Sequence, residues 1–377
     1  MKSIFYIAVI FFVLFEIINV YFVMPLPGSQ QIDSIDFAYF IYSWRWTFRL
    51  LLSILLLVGL FKSQWKRKWI PIIPLTIFAV VIYVLNFIMT ADAIFTQPEK
   101  LQLANAQNNK VDSNRLVIGV VDNGIAKAYP LQYLGYHHFI YDTLNSKPIL
   151  VTYCTVCRTG RVYDPTVNGK VEKFRLVGMD HFNAMIEDES TKSWWRQSTG
   201  EAIAGKLKGA KLIELHCSQV SLSQWLKLYP NSLVMQADSL SVNSYDTSFN
   251  YESGKSKRSL TGTNSQSWKE KSWVIGVKIN QKSRVFDWNE LLRKRILHSN
   301  IDDTKFFVVL CKDNKSFFAY KNNSADMPTI VDDTIFLQSK RYKMNGVGIN
   351  TSSHLIPLTA YQEFWHSWKT FQPNTLK

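Results

Sequence analysis

The sequence lacks the short motifs that mark several large enzyme classes. Its 377 residues contain no glycine-rich phosphate loop, no Gly-x-Ser-x-Gly nucleophile elbow and no His-Glu-x-x-His metalloprotease helix. Cysteine is also scarce, with four residues in the whole chain. A chain of this length can bury a core of its own, so this small number argues against a scaffold that depends on disulfides.

The charge of the chain is positive but dispersed. There are 43 Lys and Arg residues against 29 Asp and Glu residues, which gives a formal net charge of +14. Proteins that bind nucleic acid gather their basic residues on one helix or face, whereas most of those in this chain are scattered singly. We therefore expect no nucleic-acid partner. We interpret the charge as a surface that faces anionic lipid headgroups or that keeps the protein soluble.

Apolar residues are concentrated in the first 95 positions. Three apolar stretches lie there, at residues 4–24, 40–61 and 69–89, and each has roughly the 20 residues that a helix needs to cross a bilayer. The first stretch is too long for a secretion signal and no small-residue cleavage site follows it, so we predict that it is retained. Residues 1–95 are therefore predicted to form an anchor of three transmembrane helices in the lipid bilayer.

The short loops between these stretches predict the orientation of the anchor. Loop 62–68 carries four basic residues, whereas loop 25–39 carries two Asp residues and no Lys or Arg. Because basic loops stay in the cytoplasm, we expect a multi-pass protein of the cell (inner) membrane with a cytoplasmic N-terminus. Everything after about Thr90 is then extracytoplasmic.

Two charged residues lie inside the first two stretches. Glu16 is about eight residues from the outer end of the first stretch and Arg49 about nine from the outer end of the second, so their depths match. Unpaired charge within a membrane is costly, and we predict that the two side chains form an ion pair. Snorkelling of Arg49 beside a protonated Glu16 is the alternative.

The rest of the chain has the pattern of a mainly β domain. Residues 96–114 are polar and are predicted to link the anchor to this domain. After them, short apolar runs are separated by Gly, Asn, Asp and Pro, and few long segments have a helical period. This pattern predicts an α+β, extracytoplasmic domain with many strands and short helices.

The domain contains an internal similarity. The run Val-Ile-Gly-Val occurs at residues 117–120 and again at 274–277. The same shift of 157 positions places Cys154 on Cys311 without a gap, and a Trp followed by a Pro-Asn pair lies near the end of both segments. Self-similarity at a fixed shift is typical of a duplicated fold.

We therefore interpret residues 115–235 and 272–377 as two duplicated β-rich halves. Residues 236–271 between them are rich in Ser, Asn, Thr and Gly. They are predicted to form a polar connecting loop or a lid, with disorder as the alternative.

The most informative motif is a Cys-x-x-Cys pair, Cys154 and Cys157, at the end of an apolar, β-branched run. A thioredoxin-type pair begins a helix, which lowers the thiolate pKa, but the Arg-Thr-Gly that follows Cys157 predicts a turn into another strand. A turn with two thiolates is instead typical of a metal knuckle, which needs further ligands. A redox-active or structural disulfide and a pair of inert thiols are the alternatives that the spacing leaves open.

Side chains nearby in the sequence could complete a metal site. The donors are His137, His138, Asp142, Asp180 and His181. His137 is favoured because its segment leads through a short turn into the Cys-bearing strand, as neighbouring antiparallel strands do, and His181 is the second candidate. Two thiolates and an imidazole predict a soft ion, zinc or copper, as the cofactor. A structural hydrogen bond is the alternative for each His.

A second candidate site is the aromatic run at residues 194–197. Trp194, Trp195 and Gln197 offer stacking surfaces and an amide for a bound ligand. Large aromatic side chains more often pack in a core, which is the competing interpretation.

Four segments of the chain resemble the family catalogued as domain of unknown function 3179. They are AYPLQYLGYHHFIYD, PILVTYCTVCRTG, SWWRQSTGEAIAG and FWHSWKTFQPNT, and the resemblance covers about residues 115–375. It implies a site at His137, Asp142, Cys154 and Cys157. The family often has an acidic residue after its His, Pro after its first Cys and Gly after its second, where this chain has His138, Thr155 and Arg158.

Three functions are consistent with these patterns. The first is a membrane-anchored extracytoplasmic domain that holds a soft metal ion through Cys154, Cys157 and a His. The second is a thiol-disulfide oxidoreductase that uses the same cysteines. The third is a non-catalytic module that binds a small ligand or a partner protein and has inert cysteines. The family description implies no activity, so the sequence leaves open whether the protein is an enzyme.

Overall fold

The computed structural model describes residues 1–253 and 262–377. The helices are α1 (Lys2–Tyr21), α2 (Ile35–Phe61), α3 (Ile72–Tyr83), α4 (Ala91–Ile94), α5 (Leu131–His137), α6 (Leu222–Leu228), α7 (Asn250–Ser253), α8 (Trp288–Lys294) and α9 (Trp365–Phe371). A π-helical turn, Val84–Ile88, continues α3, and short 3-10 turns lie at Ser29–Gln31 and Val242–Ser244.

The strands are short, as the turn-rich sequence predicts. They are β1 (Leu103–Ala104), β2 (Leu116–Asp122), β3 (Ile125–Pro130), β4 (Phe139–Leu144), β5 (Lys147–Cys154), β6 (Thr159–Asp164), β7 (Thr166–Val167), β8 (Lys170–Val171), β9 (Phe174–Asp180), β10 (Asn183–Asp188), β11 (Trp194–Arg196), β12 (Ala202–Ala204), β13 (Ile213–Leu215), β14 (Ser218–Ser221), β15 (Leu233–Met235), β16 (Trp273–Ile279), β17 (Lys282–Asp287), β18 (Ile296–Ile301), β19 (Thr304–Leu310), β20 (Phe317–Lys321), β21 (Thr329–Val331), β22 (Thr334–Leu337), β23 (Lys340–Lys343), β24 (Pro357–Leu358) and β25 (Ala360–Phe364).

The chain forms two units, and it passes between them more than once. The first unit contains Met1–Thr96, Lys173–Arg196 and Glu201–Lys211. The second unit contains Gln97–Glu172, Gln197–Gly200 and Leu212–Lys377.

Two helices of the first unit are long and apolar enough to cross a membrane. They are α1, with 20 residues, and α2, with 27, and most of the large apolar side chains of α2 are exposed. The third apolar stretch forms α3, with 12 residues, and the π-helical turn, with 5. Together these are shorter than the roughly 20 residues of a spanning helix. The first two helices therefore favour membrane anchoring, and the third span stays a prediction.

The predicted ion pair between Glu16 and Arg49 is confirmed. Nε and Nη2 of Arg49 lie 2.7 and 2.8 Å from the two carboxylate oxygens of Glu16. Asn86, on the π-helical turn, joins them: its amide nitrogen donates to Glu16 over 3.0 Å and its amide oxygen accepts from Arg49 over 2.6 Å. One polar cluster therefore connects all three apolar segments.

A four-stranded antiparallel sheet completes the first unit, with strand order β12-β11-β10-β9. Met185 and Trp194 pack in one apolar cluster with Val23 and Ala38 from the N-terminal region. The Trp194 ring also makes an edge contact with Tyr39, with ring centres 5.0 Å apart. This sheet shares its core with the helices of its own unit.

The second unit is mainly β, which confirms that part of the predicted fold class. Its larger sheets have the strand orders β1-β15-β3-β2-β14, β13-β6-β5-β4, β17-β16-β25 and β18-β19-β20-β24. Strands β21 to β23 form a smaller sheet, and β7 pairs with β8. The predicted linker contributes β1, which pairs with β15.

Elements occur in the same order in two parts of this unit. The series strand, strand, helix, strand, strand, strand is formed first by β2 to β6 with α5 and again by β16 to β20 with α8. A strand followed by a helix comes later in each part, as β14 with α6 and β25 with α9. In both cases this later strand pairs antiparallel with the first strand of the series.

Glycine and tryptophan meet at matching places in these two parts. A Cβ atom on Gly119 would lie 2.2 Å from the Trp225 ring, and one on Gly276 would lie 2.1 Å from the Trp368 ring. A central β residue with no side chain is therefore needed at each place so that the indole can pack flat on the strand.

The predicted connecting loop 236–271 is described only in part. Its residues 254–261 lie outside the described residues. Before them the loop contains a 3-10 turn and α7, where Glu252 is buried and pairs with Arg115 over 3.0 Å. These contacts belong to the second unit.

Candidate functional site

The Cys-x-x-Cys pair lies in the turn between β5 and β6, as the sequence predicts. Cys154 is the last residue of β5 and pairs across the hairpin with Thr159. Four residues connect them, and Arg158 closes the turn in the left-handed region with φ of +56°. The β-branched and aromatic residues before Cys154 favour a buried strand, and both cysteine side chains are fully buried at its end.

The two thiols of the pair are hydrogen-bond neighbours of each other, and the Ser367 hydroxyl also lies at Cys157. Burial raises the pKa of Cys157 well above the usual value for a thiol, and the Cys154 thiol adds to this rise. The Ser367 hydroxyl and the Lys271 ammonium group act in the opposite direction. None of the four cysteines forms a disulfide within the described residues.

Lys271 and His366 meet at the backbone of the turn. The Nζ of Lys271 donates to the Val156 carbonyl oxygen over 2.9 Å, and His366 Nε2 lies 3.3 Å from that oxygen and 3.3 Å from Nζ. Nζ also lies 4.8 Å from the centre of the Phe364 ring. The pair is therefore accompanied by a cation, which no short motif in the sequence indicated.

Burial sets the charge preferences of these two partners. It lowers the pKa of Lys271, and the two thiols of the pair oppose that change because their thiolates would attract the ammonium group. Burial together with the Lys271 charge lowers the pKa of His366 to about 4. At neutral pH the imidazole is therefore uncharged, and Lys271 is the basic side chain that acts electrostatically on the two sulfurs.

A buried guanidinium fixes the turn from within. Arg158 Nη1 donates to Gln362 Oε1 over 2.6 Å, and its Nη2 donates to the Glu252 carbonyl oxygen. Its guanidinium lies 4.0 Å from the centre of the Trp273 ring, within the range of a cation–π contact. The backbone N–H of Phe364 donates to the Cys157 carbonyl over 3.0 Å. Strands from both parts of the second unit therefore hold the turn.

His137, the favoured third ligand, bonds to a different group. Its Nε2 lies 2.8 Å from the Tyr245 hydroxyl, and it is fully buried. His138 places Nδ1 3.1 Å from the Tyr153 carbonyl oxygen, and burial lowers its pKa to about 4. Within residues 1–253 and 262–377, no three His, Cys, Asp or Glu side chains are placed to hold a metal ion together.

His181, the second candidate ligand, lies in the first unit. Its Nδ1 is 2.7 Å from Asp180 Oδ1, and Arg196 Nε donates to the other oxygen of that carboxylate over 2.6 Å. The Asp180 hydrogen bond and charge raise the pKa of His181. The Asp–His contact is therefore an ion pair once the imidazole is protonated.

Asp142, implied by the family resemblance, belongs to a polar cluster between β3 and β4. Both of its carboxylate oxygens lie 2.9 Å from Lys127 Nζ, and the Tyr129 hydroxyl donates to one of them over 2.6 Å. Burial and the Asp142 charge raise the pKa of Tyr129 well above its usual value. The tyrosine is therefore the donor in its bond to Asp142.

The three residues proposed for ligand stacking are buried. Each indole N–H is bound by a carboxylate: Trp194 donates to Glu187 over 3.0 Å and Trp195 to Asp188 over 2.8 Å. Gln197 donates to Thr152 Oγ1 over 2.8 Å and accepts from Thr159 Oγ1 over 2.6 Å. Gln197 therefore links β5 and β6, the two strands that the Cys turn connects.

The sequence profile of one family, described as protein of unknown function (DUF3179), matches residues 94–375. This match covers most of the chain. The chain belongs to the DUF3179 family. No curated protein and no solved structure matches it. The DUF3179 match contains the Cys pair, Lys271 and His366, and leaves out α1, α2 and α3.

Proposed function

We propose that Cys154 and Cys157 form a redox-active thiol pair that exchanges with disulfides. The observation that supports this proposal is the contact of Lys271 with the backbone of the turn: its Nζ lies 2.9 Å from the carbonyl oxygen of Val156, one of the two residues between the cysteines. A thiolate is the nucleophile of disulfide exchange, and a neighbouring cation favours it over the thiol. Burial opposes ionisation of the pair, so Lys271 is needed to offset that cost.

The exchange balances without a further cofactor. The thiolate of one cysteine attacks a sulfur of a partner disulfide, which gives a mixed disulfide and one partner thiolate. The second cysteine then attacks the mixed disulfide, forms the Cys154–Cys157 bond and releases the second partner thiolate. The two protons of the pair pass to the two partner thiolates, and two electrons pass with them. Both thiols are buried, so the turn must open or the partner must be small.

Thiol titration of the purified full chain in glutathione buffers tests this proposal. We expect a reversible couple that is lost in Cys154→Ser and Cys157→Ser and kept in Cys217→Ser. Lys271→Met should slow the reaction with a small disulfide about tenfold at neutral pH, which corresponds to a thiolate pKa that is higher by about one.

The matched control is Lys369→Met, because Lys369 is an exposed lysine on α9 that pairs with Glu270. This variant should react like the original protein. The absence of a reversible couple, or equal rates for the Lys271 and Lys369 variants, would contradict the redox proposal.

A soft metal ion at the same sulfurs is the second candidate. Zinc needs further protein ligands, whereas monovalent copper is soft and suits thiolates. Two thiolates with one such ion carry a net charge of −1, which Lys271 would balance; this charge match favours copper over zinc.

Anaerobic titration with monovalent copper should then give one equivalent per chain that both Cys→Ser variants lose. Elemental analysis should find no stoichiometric zinc in the purified protein. Failure to retain copper, with a reversible thiol couple present, would leave the redox function as the one supported.

We further propose that the DUF3179 domain faces the extracytoplasmic side of the membrane. The basic loop 62–68 after α2 supports a cytoplasmic position for that end of the helix, and the π-helical turn that binds Glu16 and Arg49 supports insertion of α3 as a third span. Protease treatment of right-side-out and inverted vesicles tests the orientation. Cleavage of the domain in inverted vesicles alone would refute it.

We propose that the two parts with the same order of elements arose by duplication of one ancestral unit. The matching Gly–Trp contacts at Gly119 and Gly276 support it. A fragment swap tests it: residues 273–287 grafted in place of 116–130 should fold if the two hairpins are equivalent, and a chain that aggregates would count against the idea.

A further inference from the structure

A large polar cavity lies within the first unit. Its volume is about 760 Å³, in the range of small-ligand sites. Side chains from α1, α2, the π-helical turn, α4, β9 and β10 line it, and four of the lining residues are basic and two are acidic. The basic residues are Arg45, Arg49, Arg175 and Lys192, and the acidic ones are Asp92 and Glu187.

Part of the cavity wall is formed by the polar cluster that connects the three apolar segments. Arg49 and Asn86 line the cavity and bind Glu16. Asn86 is placed by a π-helical turn, a feature that frequently marks functional sites. Asn19 also lines the cavity, and its buried Oδ1 has no hydrogen-bond partner in the part of the chain that the structure describes. Polar side chains within a membrane segment are energetically costly, and those of the three apolar segments line one cavity.

Two of the four cations lack a carboxylate partner among the described residues, and one of these, Arg45, donates from Nη1 to the Tyr42 carbonyl oxygen over 2.5 Å. Arg175 is held by Glu187 over 2.8 Å and by Asp92 over 3.1 Å. Arg45, by contrast, packs on the Tyr42 ring at 3.7 Å, and neither Arg45 nor Lys192 pairs with a carboxylate among the residues that the structure describes. Arg45 and Lys192 therefore give the cavity positive charge that no carboxylate of the described residues pairs with.

The position along α2 places this charge near the membrane surface. With 27 residues α2 is about 40 Å long, whereas the hydrocarbon core is about 30 Å thick. Arg45 lies in the first half of α2 between Trp44 and Trp46, both exposed. Exposed tryptophans are typical of the interface between hydrocarbon and headgroups. Arg45 therefore lies about five residues inside the outer end of the apolar stretch at 40–61, from which a long arginine side chain can reach the level of the lipid phosphates.

We propose that this cavity binds the phosphate-bearing headgroup of an anionic phospholipid, with Arg45 and Lys192 as the groups that contact the phosphate. The inference rests on the membrane anchoring by α1 and α2 and is independent of the chemistry at the Cys pair. Arg49 and Asn86 would bound the headgroup on the hydrocarbon side, and Tyr42 would orient Arg45 through its ring. Basic pockets of this kind recognise headgroups by charge.

Native mass spectrometry of the full chain, released from nanodiscs with equal phosphatidylglycerol and phosphatidylcholine, tests the proposal. We expect the protein to retain phosphatidylglycerol in preference to phosphatidylcholine. Each of Arg45→Gln and Lys192→Gln should lower that retention about fivefold, and Arg45→Lys should keep it. The control variant Lys66→Gln/Arg67→Gln removes two charges from the loop after α2 and should retain the lipid normally.

Three outcomes would overturn the proposal. The first is equal retention of the two lipids. The second is a loss in the Lys66/Arg67 control as large as in the Arg45 variant, since that would indicate general attraction by charge. The third is displacement of bound phosphatidylglycerol by an equal concentration of inorganic phosphate, which would assign the cavity to a free anion. A disturbed thiol couple would bear on the other proposal and leave this one unaffected.

Discussion

The two hairpin turns that begin at Cys154 and Cys311 have the same backbone surroundings. In each, the residue after a short helix has left-handed geometry: His138 with φ of +63° and Arg295 with φ of +66°. In each, its side chain reaches the carbonyl of the residue before the cysteine, Tyr153 or Leu310, over 3.1 Å. The backbone N–H of Tyr153 donates to the His138 carbonyl over 2.8 Å, and that of Leu310 donates to the Arg295 carbonyl over 2.9 Å. The scaffold around the two cysteines is therefore built alike.

The charged groups that act on the two cysteines differ. Lys271 lies at the first turn. At the second turn burial raises the pKa of Cys311 and the carboxylates of Asp313 and Asp333 add to the rise, while the charges of Arg295 and Lys227 oppose it. Asn314 occupies the place of the second cysteine there, and its side chain accepts from Arg295. Burial disfavours a thiolate at both turns, but Lys271 offsets part of that cost at the first turn, whereas Asp313 and Asp333 add to it at the second. The neighbouring charges, more than the turn itself, therefore distinguish the two sites.

Removing either packed indole should have the largest effect on stability. Trp225→Ala and Trp368→Ala should each lower the free energy of unfolding by about 3–5 kcal/mol, because each deletes a fully buried ring. Urea unfolding of the full chain in detergent measures this. Leu240→Ala, at a side chain that is 70% exposed, should cost less than about 0.5 kcal/mol. A large cost for only one tryptophan would break the comparison between the two parts.

A methyl group on the facing glycines should have the next largest effect. Gly119→Ala and Gly276→Ala place a Cβ against an indole ring and should each cost about 1–3 kcal/mol through overpacking. Combining Gly119→Ala with Trp225→Phe should recover part of that loss, because the smaller ring leaves room. Additive losses in the double variant would show that the ring is not the cause.

Acid should loosen the first turn before the second. The folded-state pKa values of His138 and His366 are about 4, below the usual 6.5, so the unfolded chain takes up protons first as pH falls. Stability is therefore lost between about pH 6.5 and 4, by up to about 1.4 kcal/mol per pH unit for each histidine. At the second turn Arg295 takes the place of His138, so no histidine makes the corresponding contact there. Hydrogen exchange at pH 7 and 4.5 should show amides of β4 to β6 losing protection more than those of β18 to β20, and equal losses would contradict this.

Removing the lone thiol should have the smallest effect. Cys311→Ala should cost about 1 kcal/mol, the value of a small buried group, and should leave any thiol couple of the first turn unchanged. Cys154→Ala should abolish that couple. Thiol titration of both variants makes the comparison, and a couple that depends on Cys311 would show that the two turns are not chemically distinct.

Local patterns in the sequence predicted the features that depend on them. The matched depths of Glu16 and Arg49 predicted their ion pair, and the Arg-Thr-Gly after Cys157 predicted that a strand, β6, would follow the pair. Turn residues between short apolar runs predicted a mainly β domain. In each case neighbours along the chain determine the structure.

Contacts between distant segments were not predictable in this way. Lys271 and His366 contact the turn although they lie more than 100 positions away in the sequence. Lys271 comes just before β16 and His366 lies at the start of α9, and no sequence pattern at either place indicates the contact. His137 was favoured by its closeness in sequence, yet its ring bonds to Tyr245, 108 positions later. The aromatic run at Trp194 has the composition of both a binding platform and a core, and composition does not separate the two.

The sheet of strands β9 to β12 has a consequence for handling this protein. Its apolar side, with Met185 and Trp194, is covered by Val23 and Ala38 near the ends of α1 and α2. A soluble fragment that begins at Gln97 would keep every cysteine and still leave that side of the sheet bare to water. A fragment without residues 1–96 should therefore precipitate. Detergent extraction of the whole chain would keep the sheet packed against α1 and α2.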